Sequence, residues 1–143
     1  MTIAIDFDGT VVEHCYPEIG REIPFATETL RMLIKDGHKL SLWSVREDRL
    51  LDEAVNWCKE RGVEFYAVNK DYPEEKVEYN NHFSRKLKVD LFIDDRNIGG
   101  LPDWGMIYRM VNEGLTFNDL IREASRSIDA HKPPKKKHWW NRG

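Results

Sequence analysis

The sequence predicts an α/β fold in which apolar strand-like segments alternate with amphipathic helices around a mostly parallel sheet. Two observations carry this prediction. Short apolar runs recur along the first hundred or so residues, and between them lie segments whose apolar residues recur at helical spacing. Gly37 and Gly62 follow two of these segments, at positions where helices commonly end. The 143-residue chain is long enough for one domain with a core of its own.

The predicted elements follow one another in a regular order. We expect strands at residues 2–6, 39–44, 63–68 and 89–93, a further strand at 106–110, and helices at 24–36, 47–61 and 116–130. The last helix begins with Thr116-Phe117-Asn118-Asp119, a pattern typical of a capping box. Residues 1–130 are therefore expected to form the folded core, followed by a tail at residues 131–143.

Composition argues against several classes of protein. The hydrophobic fraction of 41% is that of a globular chain, and the net charge of −3 gives no whole-chain argument for nucleic-acid binding. Cys15 and Cys58 fit neither a metal-binding spacing nor a disulfide framework. No apolar run approaches the length of a membrane span, and the first motif begins too early to leave room for a signal peptide. The expected location is therefore the reducing cytoplasm.

The motif Asp6-Phe7-Asp8-Gly9-Thr10 directly follows the first strand. Carboxylates two residues apart point to opposite faces of a strand, so these two serve one site only if the strand ends and the backbone turns. Gly9 permits such a turn, and Thr10 adds a hydroxyl beside it. The carboxyl ends of parallel strands are where open α/β sheets bind ligands. The alternative is a strand end with ordinary polar turn residues.

Ser44 lies at the carboxyl end of the second strand, and Arg46 follows two residues later. A hydroxyl at this place can donate to a phosphoryl oxygen, and a guanidinium can add a planar two-pronged donor. The alternative is that Ser44 caps the helix beginning near Glu47 while Arg46 is a solvated surface charge.

Asp94-Asp95 follows the fourth strand. Adjacent acids at the edge of a sheet are costly without a partner, and this set of hard oxygen ligands suits Mg²⁺. The alternative is a turn in which Arg96 neutralises one acid. Shortly before that strand, Lys86 and Lys88 lie in a basic segment, where a lysine could offset the acids and hold a phosphate or simply face solvent.

Taken in order, these four elements resemble the motifs of the haloacid dehalogenase superfamily, specifically its small capless phosphatases. The resemblance covers about residues 2–110 and implies a Rossmann-like three-layer core without a cap domain. Lys86 matches the third motif better than Lys88, because its spacing to the acidic pair resembles that of small capless members. The expected activity is Mg²⁺-dependent hydrolysis of phosphomonoesters.

The resemblance implies that Asp6 is the nucleophile that forms an aspartyl-phosphate, and that Asp8 is the general acid and then the general base. Family dehalogenases share the nucleophile but lack the second acid, so Asp8 favours phosphoryl transfer. The implied Mg²⁺ ligands are Asp6, the backbone carbonyl of Asp8, and at least one of Asp94 and Asp95.

The remaining roles concern the substrate. Ser44 and Lys86 are expected to bind the nontransferring phosphoryl oxygens. Gly9, Thr10 and Arg46 are expected to contact the substrate as well. Caps in this superfamily are inserted after the first motif or between the second and third motifs, and both gaps here are too short for a folded cap. An open site of this kind admits large substrates, or small ones if a neighbouring subunit covers it.

The tail carries five cations and no acids, together with Trp139 and Trp140. Such a segment can bind nucleic acid or an anionic membrane surface, but self-association or local docking is the favoured interpretation. Two alternatives to a general phosphatase stay open. One is a phosphatase for nucleotides or polynucleotide ends that uses the tail as a grip. The other is a non-catalytic phosphate-sensing module.

Overall fold

The computed structural model describes residues 1–76, 86–131 and 133. In these ranges the strands are β1 (Thr2–Ile5), β2 (Lys39–Leu42), β3 (Ala67–Val68) and β4 (Leu91–Ile93). They form a parallel sheet in the order β3-β2-β1-β4. The predicted α/β class with a mostly parallel sheet is therefore confirmed.

The two inner strands are β1 and β2, and β1 carries the first motif. Ile3, Ala4 and Ile5 are all buried, as expected for an inner parallel strand that is covered on both faces. Ile5 pairs in register with Leu42 on one side and with Ile93 on the other. This register sets the residues that follow the three strands side by side.

The helices are α1 (Ala26–Lys35), α2 (Asp48–Glu60), α3 (Trp104–Glu113) and α4 (Phe117–Ala130). The amphipathic α1 buries Ala26, Leu30 and Leu33, and Ala54 and Cys58 of α2 are buried at helical spacing. The predicted capping box at Thr116 is present, with its side chain and that of Asp119 each bonding the other's backbone.

The prediction of a strand at residues 106–110 is wrong, because this segment lies within α3. Trp104, Ile107 and Val111 are buried, and their spacing of three and four residues is that of one helix face. The short apolar run resembles a strand in composition, but its buried residues recur at the period of a helix.

The chain divides into two compact units, residues Met1–Tyr108 and Arg109–Gly143. The first unit contains the sheet with α1 and α2. The second contains α4, whose Ile121 and Ile128 are exposed. The predicted boundary at residue 130 stays a prediction, and the tail residues Lys132 and 134–143 lie outside the described residues.

The segment that follows the first motif, between β1 and α1, is a short hairpin. A bridge between Val12 and Glu22 closes it, together with a hydrogen bond from Glu13 N to Arg21 O. The second gap includes residues 77–85, which are outside the described residues. In the described parts of both gaps no separate cap domain is present. None of the helices in the described ranges has the length and apolar character needed to cross a membrane.

Candidate active site

The residues that follow β1, β2 and β4 meet at one edge of the sheet. Two backbone hydrogen bonds extend the strand pairing past the ends of the strands, from Asp6 N to Ile93 O and from Trp43 N to Ile5 O. They set Asp6 beside Asp94 on one side and beside Trp43 on the other. A cleft of about 150 Å³ opens here, lined by Asp6, Asp8, Trp43, Ser44, Val45, Asp94 and Arg96.

Three carboxylates form a tight cluster in this region. Asp6, Asp94 and Asp95 each offer an oxygen atom, and these atoms all lie within 4.8 Å of one another. Burial, and then the negative charge of Asp94, raise the pKa of Asp6 to about 7. The cluster therefore holds Asp6 in an environment that disfavours its charged form unless a cation compensates.

Thr10 connects two members of the carboxylate cluster. Its Oγ1 atom lies 3.0 Å from Asp6 Oδ2 and 3.1 Å from Asp95 Oδ1, and it accepts a hydrogen bond from the backbone N–H of Asp95. The residue is completely buried, and its carbonyl accepts a hydrogen bond from the indole of Trp104. Thr10 thus holds the carboxylates together, whereas its predicted contact with substrate stays a prediction.

His14 covers the outer side of Asp95. Its Nε2 atom lies 2.9 Å from Asp95 Oδ2. Burial raises the pKa of Asp95, but hydrogen bonds involving His14, Thr10 and Asp6 outweigh it, and the net shift lowers this pKa. From the sequence, His14 could contact substrate but is more readily interpreted as a solvated loop histidine, because a histidine in a polar loop carries no signal of its partner.

Gly9 is required by both backbone and packing. Its φ of +85° is in the left-handed region, and a Cβ atom there would lie 2.0 Å from Nε2 of His14 and 2.6 Å from Oδ2 of Asp95. Its N–H donates to the carbonyl of Val12 within the turn. Gly9 therefore shapes the turn that brings Asp6 and Asp8 to one cleft, and its predicted contact with substrate stays a prediction.

Arg46 bonds Asp8 in a two-pronged arrangement. Its Nε donates to Asp8 Oδ2 and its Nη2 to Asp8 Oδ1, both at 2.7 Å. The Arg46 side chain is 0% exposed, and the hydrogen bonds to Asp8 raise the pKa of its guanidinium. The alternative of a solvated surface charge is therefore wrong for Arg46, which also does not line the cleft. Its predicted role in substrate binding stays a prediction.

Ser44 is buried at the end of β2 and is held by Asn69, which follows β3. The side-chain oxygen of Asn69 accepts from Ser44 N, and its amide nitrogen donates to Ser44 O. The Ser44 hydroxyl accepts from the backbone N–H of Arg46 at 3.1 Å. Its own proton is therefore free to point into the cleft that Ser44 lines.

Lys86 does not reach the carboxylates in this structure. Its Nζ atom lies over the ring of Phe92, 5.1 Å from the ring centre, and the side chain is exposed. Phe92 in turn contacts Trp43, whose ring centre is 5.0 Å away and which lines the cleft. Lys88 is exposed and its backbone N–H bonds Asp71. The assignment of Lys86 over Lys88 stays a prediction.

The structure brings most of the predicted site residues to one place. Those that line the cleft or contact its carboxylates are Asp6, Asp8, Gly9, Thr10, Ser44, Arg46, Asp94 and Asp95. Lys86 lies farther out, on Phe92. Trp43 and Asn69 are additional residues of this region that the sequence does not mark as functional, and His14 contacts the cluster although the sequence favours a solvated loop histidine.

The fold and this site define an α/β protein with an acidic cleft at the carboxyl ends of its parallel strands. A conserved protein from Bacteroides thetaiotaomicron has a solved structure that is similar to this chain, with a TM-score of 0.75 and 66% sequence identity. The similarity covers 84% of this chain and 96% of that one, so the chain belongs to the same family as that conserved protein.

A second relative carries a functional name. The chain is 32% identical over 78 residues to a Bacillus cereus protein named "Putative nucleotidase". The match spans 51% of this chain but only 38% of that relative's length. No protein-family model matches the chain.

Proposed function

We propose that this protein is a phosphomonoester hydrolase of the haloacid dehalogenase superfamily that depends on Mg²⁺ and works through an aspartyl-phosphate. The observation that carries the proposal is the convergence of Asp6, Asp8, Ser44 and Asp94 on one cleft, from three neighbouring parallel strands. A nucleophile, an acid–base group, an anion-binding hydroxyl and a metal ligand are the parts that this reaction needs.

Asp6 is the proposed nucleophile. One of its carboxylate oxygens forms a bond to phosphorus while the bond from phosphorus to the leaving oxygen breaks. Asp8 gives its proton to that leaving oxygen. In the second half, water attacks phosphorus, Asp8 takes a proton from it, and the bond between Asp6 and phosphorus breaks to release inorganic phosphate.

The carboxylate cluster fits a Mg²⁺ ion. Asp6, Asp94 and Asp95 supply hard oxygen ligands close to one another, and burial together with the charge of Asp94 raises the pKa of Asp6, a cost that a bound cation would offset. Asp6 together with Asp94, Asp95 or both would hold the ion, with the backbone carbonyl of Asp8 as a further expected ligand. The ion would neutralise charge on the phosphoryl group and on Asp6.

Ser44 and Lys86 are the proposed groups for the nontransferring oxygens. Ser44 already lines the cleft, with its carbonyl and N–H fixed by Asn69. Lys86 would have to leave the ring of Phe92 and turn inward when a phosphate binds. The exposed position of Lys86 leaves its side chain free to do so.

A nucleotide is the second candidate substrate, and Trp43 is the observation that favours it. The indole lines the cleft beside Asp6, next to the exposed Val45 and Arg96. A flat apolar surface beside a cation suits a base that stacks and a further phosphate or polar group. The name of the Bacillus cereus relative agrees with this class of substrate.

We place the reaction in a reducing compartment such as the cytoplasm, because Cys15 and Cys58 are free thiols.

Turnover of p-nitrophenyl phosphate tests the proposal and separates an enzyme from a phosphate-sensing module. We expect repeated turnover by the wild-type protein with Mg²⁺ and none with excess chelator. Asp6→Asn should retain the fold and lose activity to below about a hundredth of wild type, because an amide cannot form an acyl phosphate. Asp52→Asn, which changes an exposed acid on α2, is the matched control and should retain activity. Activity in Asp6→Asn comparable to that of the control would exclude Asp6 as the nucleophile.

A further inference from the structure

The guanidinium of Arg46 has a partner for every one of its five N–H donors. Two donate to the carboxylate of Asp8 at 2.7 Å. The others donate to backbone carbonyls, to Pro17 at 3.0 Å, to Glu18 at 2.9 Å and more weakly to Leu50 at 3.5 Å. No N–H of this side chain is left over for a phosphoryl oxygen.

The guanidinium is also enclosed. It is 0% exposed, and the rings of Phe7 and Tyr16 lie 5.3 Å and 5.2 Å from its central carbon. A buried charge of this kind is stable only while its partner remains in place. The arrangement therefore constrains Asp8, whose own side chain is 13% exposed and turned to the cleft.

We infer that Arg46 is a positioning residue that fixes the carboxyl group of Asp8 for proton transfer, and that it is not a substrate ligand. This inference rests on the proposed function. A carboxylate oxygen has two lone pairs, and Arg46 occupies one on each oxygen of Asp8. The remaining lone pairs stay available to carry the proton that passes to the leaving oxygen. The planar fork of Arg46 holds the carboxyl plane in one orientation while leaving those positions accessible.

The hairpin of residues 13–22 is part of this arrangement. The carbonyl of Pro17 accepts from Nη1 of Arg46, and the carbonyl of Glu18 accepts from Nη2, the atom that also donates to Asp8. The hairpin is itself closed by the bridge between Val12 and Glu22. The hairpin thus supports the acid–base group Asp8 through Arg46.

A double-mutant cycle tests the inference. The variants are Arg46→Gln, Asp8→Asn and the double variant, with steady-state turnover of p-nitrophenyl phosphate and inhibition by inorganic phosphate as readouts. We expect Arg46→Gln to lower kcat by about tenfold to a hundredfold, with KM and the inhibition constant for phosphate changed by less than about twofold. In the Asp8→Asn background the same substitution should lower kcat by less than about twofold, because the group that Arg46 positions is already gone.

Two results would overturn the inference. One is a rise in KM and in the phosphate inhibition constant that accounts for the loss, which would make Arg46 a substrate ligand. The other is an equal loss of kcat in both backgrounds, which would give Arg46 a role independent of Asp8. A wild-type protein without any turnover would contradict the proposed function itself, whereas the two results above would contradict only the positioning role of Arg46.

Two further variants keep the test decisive. Arg46→Lys retains the charge but not the planar fork of the guanidinium. It should therefore fold even if Arg46→Gln does not, and it should still lower kcat relative to wild type. If Arg46→Gln does not fold, Arg46→Lys takes its place in the cycle with the same expected outcomes. Arg21→Gln removes an exposed arginine of the same hairpin, which bonds Glu13 and not Asp8, and should leave kcat unchanged.

Discussion

The Nε2 atom of His14 lies 2.9 Å from Oδ2 of Asp95, so a hairpin residue directly contacts the carboxylate cluster. Asp95 also bonds Thr10 through both its side chain and its backbone N–H. Asp94, the adjacent acid, has a different environment. Within the described part of the chain, its Oδ1 accepts a local hydrogen bond from the backbone N–H of Arg96, and its charge adds to burial in raising the pKa of Asp6.

This difference predicts opposite effects on stability for the two acids. Asp94→Ala should raise the melting temperature of the metal-free protein, because it removes a like charge beside Asp6. Asp95→Ala should lower it, because Thr10 and His14 lose a partner. Both variants should need more Mg²⁺ for half-maximal activity. Thermal melts in chelator and Mg²⁺ titrations of activity measure these effects, with Asp52→Ala as the control. Full activity of wild type in excess chelator would remove the metal from the mechanism.

The raised pKa of Asp6 predicts how the stability of the metal-free protein depends on pH. This pKa is about 7 in the folded protein against an ordinary value of 3.8, so the folded state holds the proton more tightly than the unfolded state. Stability from this group is fully present below pH 3.8 and is lost as the pH rises through about 7. Asp6→Asn should therefore stabilise the protein more at pH 8 than at pH 5.

Urea unfolding at the two pH values, in chelator, measures the effect. We expect Asp6→Asn to exceed wild type at pH 8 by on the order of 2 kcal/mol, a value reduced from the full pKa shift because the group is partly solvated. Asp52→Asn should show no comparable gain. A wild-type protein and an Asp6→Asn variant with parallel pH dependence would contradict the prediction.

The two cysteines should differ sharply in reactivity. Burial raises the pKa of Cys58 to about 12, whereas Cys15 is exposed in the hairpin. Iodoacetamide at pH 8 should therefore label Cys15 in the folded protein and leave Cys58 unlabelled until denaturant is added. Peptide mass spectrometry of wild type and Cys15→Ser measures this. Rapid native labelling of Cys58 would show that its surroundings open more readily than its burial indicates.

Removal of residues 131–143 should alter self-association or stability before it alters chemistry. The tail combines two tryptophans with five cations, and without those five cations the net charge of the chain would change from −3 to −8. Aromatic side chains are suited to an interface core, and the lysines could lie against acidic surface. Sedimentation and thermal melts of the shortened chain should show a lower mass or melting temperature, while turnover of p-nitrophenyl phosphate is retained.

Nucleic-acid binding by the tail is the alternative, and it predicts a different set of measurements. If the tail binds nucleic acid, titration with a labelled oligonucleotide should show binding that weakens with salt and disappears in the shortened chain. Unchanged mass and melting temperature together with that loss would favour nucleic acid over self-association.

The sequence by itself determined the class of fold and the positions of the principal carboxylates. Apolar strands alternate with amphipathic helices, and in a parallel sheet the strands' carboxyl ends share one edge. Asp6, Ser44 and Asp94 each follow such a strand, so their convergence depends only on strand order and direction. These properties are readable from local patterns of apolar and polar residues.

Only the tertiary structure decided which side chains pair at that edge. Arg46 and Asp8 are 38 residues apart, and Thr10 and Asp95 are 85 apart. No spacing rule relates such positions, because their distance depends on strand register and on the path of the hairpin between β1 and α1. Arg46 could not be told from a surface charge in the sequence, since its burial results from Phe7, Tyr16 and two backbone carbonyls that only the folded chain brings around it.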